Sequence, residues 1–333
     1  MEEKDGGVFV YDPLDHPVDW LVDRGVRVSL GAPLYSPGTA RSKMPAGVLV
    51  EGARGHEVLL GASGALVTRE VMEAIKGLKM IAKIGIGYEV VDVRAATDLG
   101  IVVTNTPVHG EIGPVAEHAV ALMLAVAKRL DWYNKGYLAG GGWKDPQHMS
   151  SILSGATVGV VGLGQIGRAV VARLTGWDCR LLGCDPAFNG GLQGVEVVPL
   201  EQLLSESDFV TLHVPGLQVG EGALMGADRL GLMKPTAILV NTARGNLVDE
   251  TALAAALIAG RLGGAGLDVY SPEPPGVEAA ILTAPNVVLT PHMAAWSASI
   301  RKEMVEMAFA DIWAMLSGGK LANVVNPEVL ETA

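Results

Sequence analysis

Residues 157–185, TVGVVGLGQIGRAVVARLTGWDCRLLGCD, form the stretch from which the fold can be predicted. A β-rich run at 157–161 enters a glycine-rich sequence at 162–167. A helix pattern with periodic apolar residues follows at 168–174, and a second apolar strand ends at Asp185. This order of strand, glycine-rich turn, helix and strand is typical of a dinucleotide-binding domain.

Each glycine of the G-x-G-x-x-G pattern has its own physical reason. Gly162 permits the tight turn, Gly164 allows a pyrophosphate to approach the backbone, and Gly167 allows the helix to pack closely on the strand. The first helical turn, with Gln165 and Ile166, would offer free N–H groups and the positive end of the helix dipole to the phosphates. The pattern therefore predicts a dinucleotide site.

Asp185 indicates which dinucleotide binds. A carboxylate at the end of the second strand accepts hydrogen bonds from the ribose hydroxyls and repels a 2′-phosphate. Residues 186–188, Pro-Ala-Phe, contain no arginine or lysine that would hold such a phosphate. The sequence thus favours NAD over NADP. The alternative is that Asp185 only caps a loop.

The composition suits two α/β domains. The chain of 333 residues exceeds what one hydrophobic core usually organises, 49% of its residues are hydrophobic, and it contains 43 glycines. The formal net charge is −11 and no basic tract occurs, so we expect neither nucleic acid nor a membrane as a partner. An anionic substrate would need cations placed locally in its site.

Targeting and redox signals predict a cytoplasmic protein. The opening sequence MEEKDGG lacks the basic start and apolar stretch of a signal peptide. The most apolar helix pattern, residues 115–126, is too short to span a bilayer. Cys179 and Cys184 flank or lie in a predicted buried strand, and no cluster of Cys and His suits a metal. We therefore expect reduced thiols and no metal site.

Short apolar segments alternate with helix patterns in the N-terminal third of the chain, which predicts a second parallel α/β domain. The predicted strands are residues 8–11, 26–30, 47–50, 58–60, 80–84 and 101–104, and the predicted helices are residues 69–76 and 91–99. Farther along, the pattern predicts a long helix at 113–133, an irregular excursion at 137–151 and a final helix at 299–316.

Polar residues follow several later strands, where an apolar core would not select them. The carboxyl ends of parallel strands meet at one edge of a sheet, and ligands of doubly wound folds bind there. These segments contain His213, Val214, Pro215, Thr242, Ala243, Arg244, Asp268, Glu273 and His292. We expect four of them, Arg244, Asp268, Glu273 and His292, to converge on the nicotinamide end of the cofactor.

Three of these side chains match the reduction of a 2-keto acid, which needs a cation for the carboxylate, an acid for the new hydroxyl and a hydride donor. Arg244 presents a planar fork that pairs with a carboxylate. His292, with an unperturbed pKa of ~6.5, can exchange the proton. Glu273 would raise that pKa and fix the ring tautomer. Taken singly, they could be a surface ion-pair partner, a loop histidine and a turn residue, respectively.

Other residues keep two interpretations. Lys83 is either a solvated charge at a strand end or a contact to a distal anion of the substrate. His118, beside Glu117, is favoured as a helix-packing residue at the domain junction. Trp296, which follows His292 in the chain, either narrows the substrate pocket or covers the hinge.

Taken in order, the motifs resemble the D-isomer-specific 2-hydroxyacid dehydrogenase family over nearly the whole chain. They are the glycine-rich unit, NTARGNLVDE at 241–250, GLDVYSPEP at 266–274, TPH at 290–292 and LKMIAKIGIGYEVVD at 78–92. The resemblance implies two doubly wound parallel-sheet domains, of Rossmann and flavodoxin-like type, with the active site in a cleft between them. Residues 1–103 with 297–333 would form the substrate domain. Residues 104–296, including the linking helix and the excursion, would form the NAD-binding domain.

The resemblance also implies roles for single residues. Asp268 resembles the residue that binds the nicotinamide carboxamide, and the backbone of Ile86 and Gly87 matches a segment that helps to hold the substrate carboxylate. A homodimer is implied, in which residues 115–151 cross to the partner. The predicted cofactor site comprises Gly162, Gly164, Gln165, Ile166, Gly167, Asp185, His213, Val214, Pro215, Thr242, Ala243 and Asp268.

Three departures from the family pattern bear on the substrate. The loop at 216–222 differs from the usual sequence and could border the cofactor differently. Ile86 stands where phosphite-oxidising relatives carry a lysine, which disfavours phosphite. Residues 61–64 lack the arginine found in phosphoglycerate dehydrogenases, which weighs against phosphoglycerate. If Trp296 narrows the pocket, its indole would favour a compact or flat side chain on the substrate. Small keto acids such as glyoxylate, hydroxypyruvate or pyruvate are therefore the expected substrates, with branched or aromatic ones as further candidates.

The predicted function is that of an NAD-dependent oxidoreductase that interconverts a D-2-hydroxy acid and its 2-keto acid. His292 would act as acid and base with the help of Glu273, and Arg244 would anchor the carboxylate. The alternative is an NAD-sensing binding or corepressor protein on the same fold, because some relatives act through NAD-dependent assembly with partner proteins. Fold alone does not separate the two functions.

Overall fold

The chain forms two compact units, Met1–His109 with Ser297–Ala333 and Gly110–Trp296. A computed structural model describes residues 7–14, 16–31, 43–188, 190–217 and 221–331. Each unit contains one parallel sheet with helices on both faces, which confirms the predicted α/β class with two doubly wound sheets. Within these described ranges, no helix is both long enough and apolar enough to cross a membrane.

The first unit is built on five short strands. They are β1 (Gly7–Val10), β2 (Arg27–Leu30), β3 (Val58–Gly61), β4 (Met80–Lys83) and β5 (Val102–Thr104). Its helices are α1 (Asp19–Val22), α2 (Ala46–Gly52), α3 (Arg69–Ala74), α4 (Val93–Asp98) and the C-terminal helix Ala298–Ser317. The strands pair in parallel in the order β2-β1-β3-β4-β5.

Both faces of this sheet are buried, because successive residues of a strand point to opposite sides. Val8 packs in one cluster with Phe309 of the C-terminal helix, and Phe9 packs in the opposite cluster with Leu49 of α2. Full burial of such side chains contributes roughly 1.5–3 kcal/mol each. The C-terminal helix thus completes the core of an N-terminal sheet, which explains why both ends of the chain form one unit.

Residues 47–50, predicted as a strand, lie in helix α2, so that prediction was wrong. A short apolar run is compatible with a buried strand or with a helix. Pro45 has an extended backbone at the N-cap, and Leu49 is the buried residue of this helix. One-sided burial is typical of a short helix at the surface.

The second unit is built on seven strands. They are β6 (Thr157–Val161), β7 (Arg180–Cys184), β8 (Val195–Val197), β9 (Phe209–Leu212), β10 (Ile238–Asn241), β11 (Gly264–Leu267) and β12 (Val287–Leu289). The helices are α5 (Ile112–Ala127), α6 (Lys135–Ala139), α7 (Gln165–Leu174), α8 (Leu200–Glu206), α9 (Ala227–Leu230) and α10 (Glu250–Ile258). The strand order is β12-β11-β10-β9-β6-β7-β8. From β6 the chain adds β7 and β8 on one side, and it then continues with β9 on the other side of β6, so the order of addition reverses between β6 and β9. Their carboxyl ends therefore form the edge at which such a sheet binds a ligand.

Helix α5 ends at Ala127, so the predicted continuation to residue 133 was wrong. Arg129 adopts a left-handed backbone with a φ of +52°, which is incompatible with a continuing helix. The ammonium group of Lys128 donates to the carbonyl of Ser151 at 2.9 Å. This bond fastens the end of the following excursion to the end of the helix.

Candidate active site

The turn between β6 and α7 is packed so tightly that two of its glycines have no room for a side chain. A Cβ on Gly167 would lie 1.9 Å from the carbonyl oxygen of Gly162. A Cβ on Gly162, whose φ is +96°, would lie 2.5 Å from the carbonyl oxygen of His213. At Gly164, by contrast, a Cβ would meet no described atom within 4 Å. The turn thus presents an open stretch of backbone, as a bound pyrophosphate requires.

Helix α7 begins directly after this open stretch. Gly164 is its N-cap, and no side chain of the described residues caps the helix. The N–H groups of the first turn, which includes Gln165 and Ile166, point along the helix axis toward its N-terminus. Together with the helix dipole they fit a phosphate group.

Asp185 lies at the end of β7 and accepts two backbone hydrogen bonds. Its Oδ2 accepts from the N–H of Leu163 at 2.8 Å, and its Oδ1 accepts from the N–H of Ala187 at 2.9 Å. The carboxylate therefore does hold a loop, as the alternative interpretation required. Each oxygen has a further lone pair that a ribose hydroxyl could use, so the two roles are compatible.

Two polar residues follow β9 and β10 at the same edge of the sheet. Burial lowers the pKa of His213 to about 4, so this ring is neutral at physiological pH. The hydroxyl of Thr242 is buried and has no hydrogen-bond partner among the described residues. Because a buried polar group without a partner is unfavourable, Thr242 fits a site that a bound cofactor completes.

His292 and Glu273 form a hydrogen-bonded pair. Nδ1 of His292 donates to Oε2 of Glu273 at 2.8 Å, and Oε1 of Glu273 accepts the N–H of Tyr270 at 3.0 Å. The carboxylate is thus held from two sides. It fixes the imidazole tautomer in turn and leaves Nε2 as the nitrogen available to a substrate.

The surroundings of His292 raise its pKa above the ordinary value of 6.5. Burial favours the neutral ring, as does the charge of Arg244. The hydrogen bond and charge of Glu273, together with the charge of Asp268, outweigh both effects. The ring can therefore carry a proton to donate near neutral pH.

Arg244 follows β10 in a turn that Asn241 organises. The side chain of Asn241 is fully buried, and its Nδ2 donates to the carbonyl of Arg244 at 2.8 Å. The next residue, Gly245, packs on the backbone of Tyr270, where a Cβ would lie 1.9 Å from the carbonyl carbon. This close approach brings the turn that bears Arg244 next to the segment that bears Glu273.

Asp268 is fully buried at the end of β11. Its carboxylate accepts hydrogen bonds from Oγ1 of Thr290 and from the N–H groups of Met293 and Ala294. Burial alone would raise the pKa of this carboxyl group, but His118, whose Nε2 lies 3.4 Å from Oδ1, and then the other hydrogen bonds lower it overall. Asp268 is therefore ionised. Its contact with a nicotinamide carboxamide stays a prediction.

Sequence reasoning missed Glu111, which precedes helix α5. Burial raises the pKa of Glu111, and the charges of Arg244 and His292 act on it in the opposite direction. The carboxyl group of Glu111 thus interacts electrostatically with Arg244 and His292, the two predicted catalytic cations. Neither its spacing nor its motif context in the sequence indicates this, because the three residues lie far apart along the chain.

In the first unit, two side chains after β5 hold the segment that contains Ile86 and Gly87. Nδ2 of Asn105 donates to the carbonyl of Ile86 at 2.8 Å, and Oγ1 of Thr106 accepts the N–H of Gly85 at 2.7 Å. Thr106 is buried. The segment itself was predicted from the sequence, but neither of the residues that hold it was.

Lys83 is 6% exposed, so its interpretation as a solvated strand-end charge was wrong. The residue lies in β4, which is buried along its whole length. Its Nζ donates to the carbonyl of Ile84 at 3.1 Å. The charge is thus accommodated by the protein rather than by water.

Residues 218–220 of the divergent loop at 216–222 lie outside the described residues. Among the described residues, no group of three or more His, Cys, Asp and Glu is arranged to hold a metal ion. Cys179 and Cys184 are free and half-buried, and burial raises the pKa of both thiols. Trp296 is exposed, and its role in the pocket stays a prediction.

Comparison with known proteins identifies the family. Residues 120–294 match the domain described as D-isomer specific 2-hydroxyacid dehydrogenase, NAD binding domain. The chain is 40% identical over 292 residues to the glyoxylate reductase of Korarchaeum cryptofilum, covering 85% of this chain and 87% of the relative. It is 35% identical over 328 residues to the D-3-phosphoglycerate dehydrogenase of Archaeoglobus fulgidus, covering 97% of this chain and 60% of the relative.

A solved structure extends the similarity to the whole fold. The TT0316 protein of Thermus thermophilus is similar with a TM-score of 0.83 and 36% identity, over 96% of this chain and 99% of the other. The matched NAD-binding domain confirms the prediction of NAD, and the relatives confirm the prediction of an oxidoreductase. The chain, an NAD-dependent oxidoreductase, therefore belongs to the D-isomer-specific 2-hydroxyacid dehydrogenase family.

Proposed function

We propose that this enzyme interconverts a small D-2-hydroxy acid and its 2-keto acid, with His292 as the acid and base, Glu273 as its partner and Arg244 as the anchor of the substrate carboxylate. The observation that carries the proposal is the 2.8 Å hydrogen bond from Nδ1 of His292 to Oε2 of Glu273. It lies at the ligand-binding edge of an NAD-binding sheet, and the charge of Arg244 acts on the same imidazole.

Reduction of the keto acid requires a hydride at the carbonyl carbon and a proton at the carbonyl oxygen. The nicotinamide cofactor, when bound, supplies the hydride. The Nε2–H group of His292 donates its proton to the carbonyl oxygen as negative charge develops there. Glu273 stabilises the imidazolium beforehand and holds the neutral ring afterwards. In the oxidation direction, the neutral Nε2 accepts the proton of the hydroxyl group.

Arg244 supplies the local cation that an acidic protein must provide for an anionic substrate. Its planar guanidinium pairs with both oxygens of a carboxylate, which orients the adjacent carbonyl group as well as binding it. We also propose the backbone of Ile86 and Gly87 as a contact to the same carboxylate. The first unit would then be the substrate domain and the second the NAD-binding domain.

For the cofactor, we propose contacts that follow from the geometry of each residue. Gly164 and the first turn of α7 would hold the pyrophosphate, Asp185 the adenosine ribose, and Thr242 a polar group of the cofactor that satisfies its buried hydroxyl. The other proposed contacts are those predicted at Gly162, Gly167, His213, Val214, Pro215, Ala243 and Asp268.

Observations in the first unit favour a substrate without a second anionic group. Oδ2 of Asp12 accepts the N–H groups of residues 62–64 at 3.0–3.1 Å, and this carboxylate is 2% exposed. An internal anion therefore uses the donors with which this loop could otherwise bind a phosphate. Lys83 is buried and donates to a backbone carbonyl. We therefore propose glyoxylate, hydroxypyruvate or pyruvate as the substrate class.

The test is NADH oxidation by the purified protein with glyoxylate, hydroxypyruvate, pyruvate, phenylpyruvate and phosphohydroxypyruvate. We expect strong turnover of a small keto acid and weak turnover of phosphohydroxypyruvate. The His292→Ala variant should bind NADH normally, as followed by its fluorescence, while turnover falls by roughly 10²-fold or more. Normal turnover by that variant would refute the proposed role. Failure of all keto acids despite NADH binding would instead support the NAD-sensing function.

We also propose a homodimer that uses residues 130–152, which follow α5 and include the excursion. Several large apolar side chains there are exposed, which is unfavourable unless a partner covers them. They are Leu130, Leu138, Trp143, Met149 and Ile152. Light scattering should give the mass of two chains for the native protein and of one chain for Trp143→Glu. A native protein with the mass of one chain would rule out this assembly.

A further inference from the structure

Three successive backbone N–H groups in the turn that carries His292 donate to one buried residue, Asp268. The N–H of His292 donates to the backbone carbonyl of Asp268 at 2.7 Å, and the N–H groups of Met293 and Ala294 donate to its two carboxylate oxygens at 2.8 and 2.9 Å. His292 itself has a φ of +51°, in the left-handed region that side-chain-bearing residues rarely adopt. Asp268 therefore maintains an unfavourable backbone conformation at the residue that exchanges the proton.

Asp268 is itself oriented by Thr290 and, through it, by His118 of helix α5. Oγ1 of Thr290 donates to Oδ1 of Asp268 at 2.6 Å and lies 2.9 Å from Nε2 of His118. A threonine hydroxyl has only one hydrogen. Because that hydrogen is given to Asp268, the hydroxyl must accept from His118, so Nε2 of His118 carries a hydrogen. The same Nε2 lies 3.4 Å from Oδ1 of Asp268.

Helix α5 makes His118 a rigid donor. Ala116, Ala119 and Leu122 of this helix are buried, and the helix packs on α7, β10 and β11. The imidazole is thus attached to the core of the second unit, while the backbone of residues 292–294, which it positions through Thr290 and Asp268, belongs to a turn. Through these hydrogen bonds, helix α5 helps to fix the position of the turn that carries His292.

We propose that His118 is a positioning residue for the acid–base His292, acting through Thr290 and Asp268 on the backbone of residues 292–294. The inference rests on the proposed function, because it takes His292 as the proton donor. It replaces the interpretation of His118 as a residue that only packs a helix.

The test compares His118→Leu, which removes the donor, with His118→Gln, whose side-chain NH₂ can replace Nε2–H. We expect kcat of the leucine variant to fall about tenfold, since small misplacement of a catalytic group slows the reaction, while the Kd for NADH changes less than about twofold. Its solvent deuterium isotope effect on kcat should rise, because proton transfer becomes more rate-limiting. The glutamine variant should recover most of both values.

One control separates positioning from stability. His56→Leu removes a buried imidazole, whose Nε2 lies 2.8 Å from Oγ of Ser29 in the first unit, and it should leave the isotope effect unchanged. If His118→Leu does not fold, His118→Asn replaces it, because asparagine reaches the position of Nδ1 and should not rescue kcat as glutamine does.

The proposal is overturned if the leucine or asparagine variant matches the glutamine variant in kcat and isotope effect. His292→Ala, measured alongside, identifies which idea has failed. If His292→Ala loses turnover while the His118 variants keep the native kcat and isotope effect, only the positioning role is refuted. Retained turnover would refute the proposed function and this inference with it.

Discussion

Nδ1 of His292 lies 2.8 Å from Oε2 of Glu273, and the other oxygen of that carboxylate is held by the backbone N–H of Tyr270. A carboxylate that is fixed in this way cannot turn away from the imidazole when the ring loses its proton. The pair therefore acts as one unit, in which Glu273 sets both the orientation of the ring and the pH range over which it titrates.

The pH dependence of the enzyme should follow from this pair. Because the pKa of His292 is raised above 6.5, kcat/KM for keto-acid reduction should be high at lower pH and fall as pH rises through that pKa. Oxidation of the hydroxy acid needs the neutral ring, so its rate should fall as pH drops through the same pKa. Glu273→Gln removes the raising influence, and both limbs should move to lower pH.

Glu278→Gln is the matched control for this experiment, since Glu278 is an exposed residue of the same segment. It should leave both pH profiles in place. At neutral pH, Glu273→Gln should reduce turnover in the reduction direction roughly tenfold or more, within the range of general acid catalysis. If the pH profile of Glu273→Gln coincides with that of the native enzyme, another group than Glu273 determines the pH at which the rate changes.

Arg244→Lys tests the anchoring of the carboxylate. A single ammonium group cannot reproduce the two parallel hydrogen bonds of a guanidinium. We expect KM for the keto acid to rise roughly tenfold to a hundredfold, which corresponds to the loss of about 1.5–3 kcal/mol for a charged hydrogen bond. Arg229→Lys, on α9, serves as a control and should leave KM unchanged. An unaltered KM in Arg244→Lys would argue that the arginine does not bind the substrate.

Asp185→Asn tests the choice of cofactor. Asparagine keeps an oxygen that can accept a backbone N–H but removes the charge that repels a 2′-phosphate. The preference for NADH over NADPH should fall by roughly tenfold or more, since repulsion between unit charges near the surface is on the order of 1–4 kcal/mol. Asp185→Ala also removes the bonds to Leu163 and Ala187, so comparison of the two variants separates charge from loop structure. An unchanged preference in both would exclude Asp185 as the selector.

The sequence predicts most of the second unit because its signals are local. Gly162 and Gly167 are required by close backbone contacts, Gly164 leaves the backbone open to a pyrophosphate, and Asp185 follows the next strand directly. Residues 47–50 were mispredicted as a strand because four apolar residues do not distinguish a strand from a short helix. Likewise, nothing in the apolar periodicity of α5 indicates that Arg129 turns left-handed and ends it.

Residues that act on the site from a distance could not be predicted in the same way. His118 contacts Thr290 although 172 positions separate them, and this pairing depends on how α5 lies on the sheet. Asn241 begins the motif at 241–250, but the motif does not indicate that its side chain holds the turn of Arg244. Lys83 was misjudged because burial at a strand end depends on the neighbouring strands. Motifs indicate which residues react, whereas the contacts that hold those residues in place become apparent only from the tertiary structure.

Thr106 offers a test of such a holding residue in the first unit. Its Oγ1 accepts the N–H of Gly85 at 2.7 Å, and its own N–H donates to the carbonyl of Gly85 at 3.2 Å. Thr106→Val keeps the shape of the side chain but leaves the N–H of Gly85 without this acceptor, at a cost of about 1–3 kcal/mol. The adjoining backbone of Ile86 and Gly87 should then be less well ordered.

We expect Thr106→Val to raise KM for the keto acid roughly tenfold while the Kd for NADH stays the same, because the affected segment is proposed to bind only the substrate carboxylate. Thr106→Ser restores the acceptor and should restore KM. Thr104→Val, at an equally buried position in β5, controls for the loss of a buried hydroxyl in this part of the sheet. If serine fails to restore KM, or if the Thr104 variant raises it as much, the effect comes from general loosening of the sheet, and the bond to Gly85 does not position the substrate segment.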